Sequence, residues 1–393
     1  MNKIIYLDAA ASALKPESVI TAQMDFLRNS YANAGRGVCA RATAVDDMIA
    51  HARARVARFI NADTNQVIFT SGATDGLNRV VNIITQQPSW TNNATIGVSD
   101  LDHHSARMPW AALLHNGKIR KMFKCELDEN MDIKIDGVPC VDVLVITAMS
   151  NVFGRPQDVH AIIAAARKKN PQVITIVDAS QYVVHNTIDV KKWDCDFLVF
   201  SGHKIGADTG VGILYIRDSE KYFPDKFGGG MVSRVGDIDA ARNASYGAWI
   251  YENAPESCWI TAHSPDKWEA GTLPITQIIG LEPAIDSIES KRPDINLIKY
   301  MYDKLSQNTH IKILSHRDAA LLTFVVDKIH VLDFGVMVGA RGLCVRVGNM
   351  CSAWAVRAAG TDGVVRISVG NYNTPADADA AVQIINGVVG DYD

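Results

Sequence analysis

Apolar positions along this chain follow two rhythms. Met48, Ile49, Ala52, Val56, Phe59 and Ile60 recur at helical spacing, with Arg53, Arg55 and Arg58 off that face, which predicts an amphipathic helix over 46–60. Residues 66–70 read as a strand, and Leu77, Val80, Val81 and Ile84 then return to helical spacing, predicting a helix over 74–84. Runs rich in Val, Ile, Leu, Phe and Thr at 94–99, 141–147, 173–178, 196–200 and 212–216 predict further strands, and helices fit at 158–169 and 275–290. Near-continuous apolar strands alternating with helices mean an α/β fold with a largely parallel sheet covered on both faces. Such sheets bind ligands beyond the carboxyl ends of their strands. The rhythm fails over 231–267, where Trp249 and Trp259 lie among scattered Asn, Asp, Ser and Gly; this stretch reads as a long loop or insertion. From about residue 280 onward a smaller α/β lobe is expected.

Composition narrows the function classes. A chain of 393 residues with 48% hydrophobic and 21% charged positions is long enough for two domains and has the balance of an ordinary globular protein. Its net charge of −4 and lack of a basic block argue against nucleic acid as a partner. No apolar run approaches the roughly 18 residues that suggest a membrane helix. Asp8 interrupts the only apolar patch near the start, so no secretion signal is expected and the location expected is the cytoplasm. Seven cysteines without a Cys-x-x-Cys pair argue against a disulfide framework and a thiolate zinc site. No metal is expected, and most of the cysteines, Cys39 included, are expected to be small buried hydrophobes.

The chemistry gathers around Lys204, in the polar turn Ser201-Gly202-His203-Lys204 between two strand-like runs. A lysine in a turn is ordinarily solvated. Ser-x-x-Lys also occurs in serine acyl-enzymes, but no helix follows Ser201, and Lys-Thr-Gly and Ser-Asp-Asn elements are absent. The remaining reading is a lysine that carries pyridoxal phosphate as a Schiff base. That cofactor needs an acid at its ring nitrogen, a phosphate cradle and a stacking partner. The strand 173–178 ends in Asp178; Thr70-Ser71-Gly72-Ala73-Thr74-Asp75-Gly76 joins a strand to a helix, where phosphate binds; Ser201 and His203 add donors; and Asp102-His103-His104-Ser105 follows the strand at 94–99.

These residues carry a resemblance. Tyr6-Leu7-Asp8-Ala9-Ala10-Ala11-Ser12-Ala13, Asp178-Ala179-Ser180-Gln181, Ser201-Gly202-His203-Lys204, Glu269-Ala270-Gly271-Thr272 and Arg366 within Val-Arg-Ile-Ser together resemble the class V aminotransferases. Among these, the chain is most similar to the SufS-like (group II) cysteine desulfurases and selenocysteine lyases, from Tyr6 to about Thr374 and with the motifs in the family's order. The resemblance implies the fold type I of pyridoxal-phosphate-dependent transferases: a large domain over 15–279 with a mostly parallel mixed sheet, and a small domain from 1–14 and 280–393. It implies Lys204 as the Schiff-base lysine and proton carrier, Asp178 on the pyridinium nitrogen and His103 stacked on the ring. Asn151 and Gln181 would bond near the ring's 3-oxygen. Ala73, Thr74, Ser201 and His203 would hold the phosphate, with Thr272 contributed by the neighbouring subunit of a homodimer.

Arg366 would take the substrate carboxylate, with Asn151 beside it, a task suited to a guanidinium. Cys351, in Arg346-Val347-Gly348-Asn349-Met350-Cys351-Ser352-Ala353, matches the persulfide-forming cysteine; attack needs a thiolate, which Arg346 would favour. The implied reaction converts L-cysteine to L-alanine and passes sulfur through Cys351 to an acceptor protein, the sulfur mobilisation of iron–sulfur cluster assembly being one such destination. Selenocysteine or another amino acid as substrate is the alternative. Two departures bear on substrate and acceptor: Gly35-Arg36-Gly37-Val38-Cys39 stands where the family has His-Arg-Gly-x-His, and Met350 where it usually has histidine.

Overall fold

The computed structural model describes residues 4–35, 37–234 and 260–391. Arg36 and the centre of the expected insertion, 235–259 with Trp249 and Trp259, lie outside the described residues; its flanks, Val232–Arg234 and Ile260–Thr261, pair antiparallel.

Seven strands form the main sheet: β1 (Val67–Thr70), β2 (Thr95–Val98), β3 (Lys121–Lys124), β4 (Val143–Thr147), β5 (Ile174–Asp178), β6 (Phe197–Ser201) and β7 (Gly212–Ile216), in the order β1-β7-β6-β5-β4-β2-β3. β7 runs antiparallel to both neighbours, while the other pairs are parallel. Alternate residues feed opposite cores. Leu144, Ile146, Val177, Leu198 and Phe200 enter one buried cluster, whereas Val143, Val145, Ile176, Phe197 and Val199 enter the other. That period of two, apolar on both faces, is why these strands read as unbroken hydrophobic runs.

The predicted helices are present as Ala40–Ile60, Ala73–Thr85 and Val159–Lys169. The helix expected over 275–290 is two, Ile275–Ile279 and Leu281–Ser290, because Pro283 has no N–H to donate back to Ile279. Pattern reading passes over β3, whose edge sequence Lys-Met-Phe-Lys is only half buried, and over the helix His104–His115, which carries Pro109. Arg53 lies off the apolar stripe but is buried, its guanidinium making 2.8 and 2.7 Å bonds to both oxygens of Glu269.

A second, four-stranded antiparallel sheet follows: β8 (Ile311–Ile313), β9 (Leu322–Val326), β10 (Arg346–Gly348) and β11 (Val364–Ile367), ordered β8-β9-β11-β10. Its own core includes Phe324, Phe334, Ile367 and Ile385, and the N-terminal Ile5 and Leu7 join it. Leu281, Ala284, Ile285 and Ile288 instead pack into the larger core.

The cysteines depart from expectation. Cys125 and Cys195 are buried, but Cys39, Cys140 and Cys351 are exposed and Cys344 is half buried; all six described are free. Cys39 caps the N-terminus of the helix Ala40–Ile60 with Val38 and Ala40 also exposed, so its environment is the projecting end of a helix and not a core.

Candidate active site

The parallel strands β1, β2, β4, β5 and β6 place their carboxyl ends along one edge of the sheet, and the turns after them build a cavity of ≈ 410 Å³. After β1, Gly72 (φ 150°, ψ 175°) opens the helix Ala73–Thr85 in a conformation suited to glycine. Across from it, a Cβ on Gly212 would sit 2.5 Å from the Cα of Gly72, so two glycines let β7 run against this turn. The Ala73 N–H donates to Ser201 Oγ (2.8 Å), and Thr74 Oγ1 lies 2.7 Å from Ser105 Oγ. Helix start, Ser201 and Ser105 thus form one polar corner, where unpaired helix N–H groups favour an anion.

Asp178 ends β5, buried, with Oδ1 accepting from Ser180 N (3.0 Å). Lys204 closes the 3₁₀ turn Gly202–Lys204 after β6. Desolvation lowers its pKa from 10.5 to about 8; Asp178 pulls the other way, and Arg366 adds to the fall. Burial pushes His203 down to about 4, aided by Lys204 and Lys15, so its imidazole is neutral. His103 caps the helix His104–His115, Nδ1 accepting from Ser105 N (3.2 Å). Desolvation lowers its pKa too, opposed by Asp178.

Gln181 and Asn151 line the same cavity. Gln181 Nε2 donates to Ala10 O (2.8 Å). Asn151 uses both ends of its amide on the cysteine loop: Nδ2 donates to Met350 O (2.7 Å) and Oδ1 accepts from Ser352 Oγ (2.7 Å). Arg366, buried on β11, donates to Asn151 O (2.9 Å) and Asp8 Oδ1 (3.2 Å), and Arg346 reaches the other oxygen of Asp8 at 2.7 Å. Cys351 is exposed at the cavity mouth, with Arg346 lining the same space.

All the residues singled out in the sequence line this cavity except Thr272. Thr272 lines a second, larger cavity of ≈ 940 Å³ together with Gly229, Gly230 and Glu269. The sequence motifs assign no task to Asp8, the carboxylate between two arginines, nor to Ser180 and Ser105 on the cavity wall or His104 against the cysteine loop. Asp8 alone left a signal, as the one charge in an alanine-rich stretch.

Residues 5–381 match the aminotransferase class-V family. A cysteine desulfurase of Salmonella newport is 32% identical over 398 aligned positions, covering 96% of this chain and 92% of that protein, and an Enterobacter cysteine desulfurase is 31% identical with the same coverage. Among solved structures, the Escherichia coli cysteine desulfurase CsdA, in an S-sulfonic acid form, superposes with a TM-score of 0.84 at 28% identity, covering 98% of this chain and 95% of that one. An apo cysteine desulfurase from Thermococcus onnurineus gives 0.87 at 26% identity, over 99% of this chain and 95% of that one. With a family match spanning nearly the whole chain and relatives above 30% identity along it, this protein belongs to the class-V aminotransferases, a family that uses pyridoxal phosphate.

Proposed function

We propose that the chain is a pyridoxal-phosphate-dependent cysteine desulfurase that takes L-cysteine to L-alanine and receives its sulfur on Cys351. One observation carries the reading: an amine of lowered pKa, a buried carboxylate and an exposed thiol open into a single cavity. The cavity also fits the cofactor. Four buried polar atoms on its lining, Ser180 Oγ, Gln181 Oε1, His203 Nδ1 and Arg366 Nε, have no hydrogen-bond partner, and buried polar groups demand one. They are the signature of a polar ligand.

We assign Ala73, Thr74, Ser201 and His203 to the phosphate, Asp178 to the ring nitrogen, His103 to the ring face, and Gln181 with the remaining Asn151 N–H to the region of the ring oxygen. Lys204 is the attachment residue. Bound pyridoxal phosphate supplies an electron sink for charge developing at the substrate's Cα. Lys204 Nζ, with its pKa near 8, is suited to take the Cα proton and return it. Arg366 takes the substrate carboxylate in competition with Asp8. The Cys351 thiolate attacks the substrate sulfur: an S–S bond forms, the Cβ–S bond breaks with its electron pair left on carbon, and Cβ takes a proton to become the methyl of alanine.

The site is completed, in this reading, by a second copy. Thr272 is absent from its own chain's cavity and lines the larger one, so a homodimer in which Thr272 reaches the partner's phosphate corner uses it. The units proposed are 15–279 and 1–14 with 280–393, the helix Leu281–Ser290 of the second packing its buried face into the core of the first. A sulfur-acceptor protein and a cytoplasmic location accord with an exposed Cys351 and with six free cysteines. Among the described residues no helix is long and apolar enough to cross a membrane.

The test is purified, cofactor-loaded protein given L-cysteine and a thiol reductant. Alanine and sulfide should appear together, and Cys351→Ala should lose both. A change in the cofactor's absorption on adding L-cysteine, without sulfide, would leave the cofactor site standing and remove the substrate.

A further inference from the structure

The loop that carries Cys351 runs from Asn349 to Ala353, between β10 and the helix Ala353–Ala358. Met350 and Cys351 are consecutive left-handed residues, φ 55° and 52°, and neither is glycine. That conformation is unfavourable for both and persists only where surroundings enforce it.

The enforcement comes from two sides. Asn151 holds the carbonyl of Met350 and the hydroxyl of Ser352. Facing it, His104 bonds the backbone on both sides of Ser352: its main-chain N–H donates to Cys351 O at 2.7 Å, and its ring Nε2 accepts from Ala353 N at 3.2 Å. Ala353 N can only donate, so Nε2 must carry the lone pair, and burial lowers the pKa of His104, which favours that neutral form. The ring is fixed in turn. Trp354 meets it edge-on at 5.3 Å, Arg107 lies 4.0 Å over the Trp354 ring, and Asp100 pairs with Arg107 at 2.9 Å.

We infer that His104 is a positioning residue for sulfur transfer, its imidazole Nε2 holding the Cys351 loop in the left-handed conformation that keeps the thiol at the cavity mouth. The consequence for catalysis rests on the desulfurase reading above; the clamp itself rests on geometry. The main-chain bond from His104 survives any substitution, so the side-chain bond is what a variant removes. Glutamine is the informative replacement, since its Oε1 offers a neutral acceptor at similar reach.

The experiment compares wild type, His104→Ala and His104→Gln as cofactor-loaded protein. In His104→Ala, the absorption band and the L-cysteine concentration that perturbs it should stay within about twofold, while sulfide release falls roughly tenfold to a hundredfold, as expected when a reacting group is misplaced by an ångström or so. His104→Gln should recover sulfide release to within about threefold. Unchanged release in His104→Ala, or a His104→Gln as poor as His104→Ala, overturns the inference. Where His104→Ala fails to fold, His104→Asn, one methylene short of Ala353 N, is the loss variant. If wild type yields no sulfide, the desulfurase reading falls, and the clamp is judged by hydrogen exchange alone: protection of the 350–354 amides must drop in His104→Ala and return in His104→Gln.

Discussion

Lys204 and Cys351 open into one cavity from two different kinds of backbone. The lysine turn is held by main chain throughout: Gly202 N bonds Val211 O, and Ile205 N and Ala207 N both return to Gly202 O, between two wholly buried strands. The cysteine sits on a left-handed stretch, exposed at Cys351 with Met350 and Ser352 buried beside it, whose shape depends on side chains, Asn151 and His104 from elsewhere and Asn349 within the loop. A backbone-locked turn suits a group that must keep one position relative to a cofactor. A loop held by a few side-chain bonds has fewer restraints to release. That suits a sulfur carrier, which must meet a substrate on one side and an acceptor on the other.

The largest effects should separate the two regions cleanly. We expect Lys204→Ala to abolish the visible cofactor band and to lower alanine formation about 10³-fold or more. Cys351→Ser should lose sulfide to a similar degree yet keep both the band and its response to L-cysteine, read by absorption titration. A Cys351→Ser protein without the band would show that the loop and the cofactor site are a single unit and break the contrast.

Next in size is a test of rigidity on the lysine side. Gly212→Ala must place a Cβ 2.5 Å from the Gly72 Cα, backbone against backbone, where neither can turn aside. A loss of roughly 1–3 kcal/mol in urea unfolding is expected, as for other overpacked sites, together with weaker retention of pyridoxal phosphate on dialysis. Wild-type retention would mean that the cradle is more yielding than its geometry indicates.

The same contrast explains what could be read before the structure. β1, β4, β5 and β6 declared themselves because burial on both faces leaves only apolar residues, and the residues at their ends fell on the cavity edge as that pattern requires. The places of Lys204 and Asp178 on the cavity were legible because one follows and the other ends a buried strand, while the tasks given to them came from the family resemblance. The cysteine loop was not. Its geometry depends on His104 and Asn151, residues far off in sequence whose partners are mostly backbone atoms, and a bond to a backbone carbonyl leaves no mark on the residue that accepts it. Asn151 illustrates the gap, with its side chain engaged by the loop on both ends. Arg53 illustrates another, since a buried ion pair with Glu269 looks, in sequence, like a solvated arginine.

A smaller effect concerns Asp8, which bridges Arg366 and Arg346. If the substrate carboxylate displaces it, Asp8→Asn removes the competitor's charge, and KM for L-cysteine should fall about threefold to tenfold with kcat little changed, the pattern of a change in uniform binding. A rise in KM would mean that Asp8 aims Arg366 instead of competing for it, and would move Asp8 into the rigid half of the site.

The smallest effect is read on protein stripped of cofactor, by thermal melting as a function of pH. Lys204 has a pKa of about 8 in the fold against an ordinary 10.5. Between those values the folded chain has released a proton that the unfolded chain still holds, so this group makes stability rise with pH across the window. Below about 8 both states are protonated and the fold carries the full penalty of a charged, desolvated amine; above 10.5 the penalty is gone. Lys204→Met should therefore raise the melting temperature most below pH 8, with the advantage fading toward pH 10.5. An advantage constant over that range would mean that the gain comes from packing, and that charge at Lys204 is no burden to the apo fold. The lysine would then need the cofactor itself, not the pocket, to set its proton affinity.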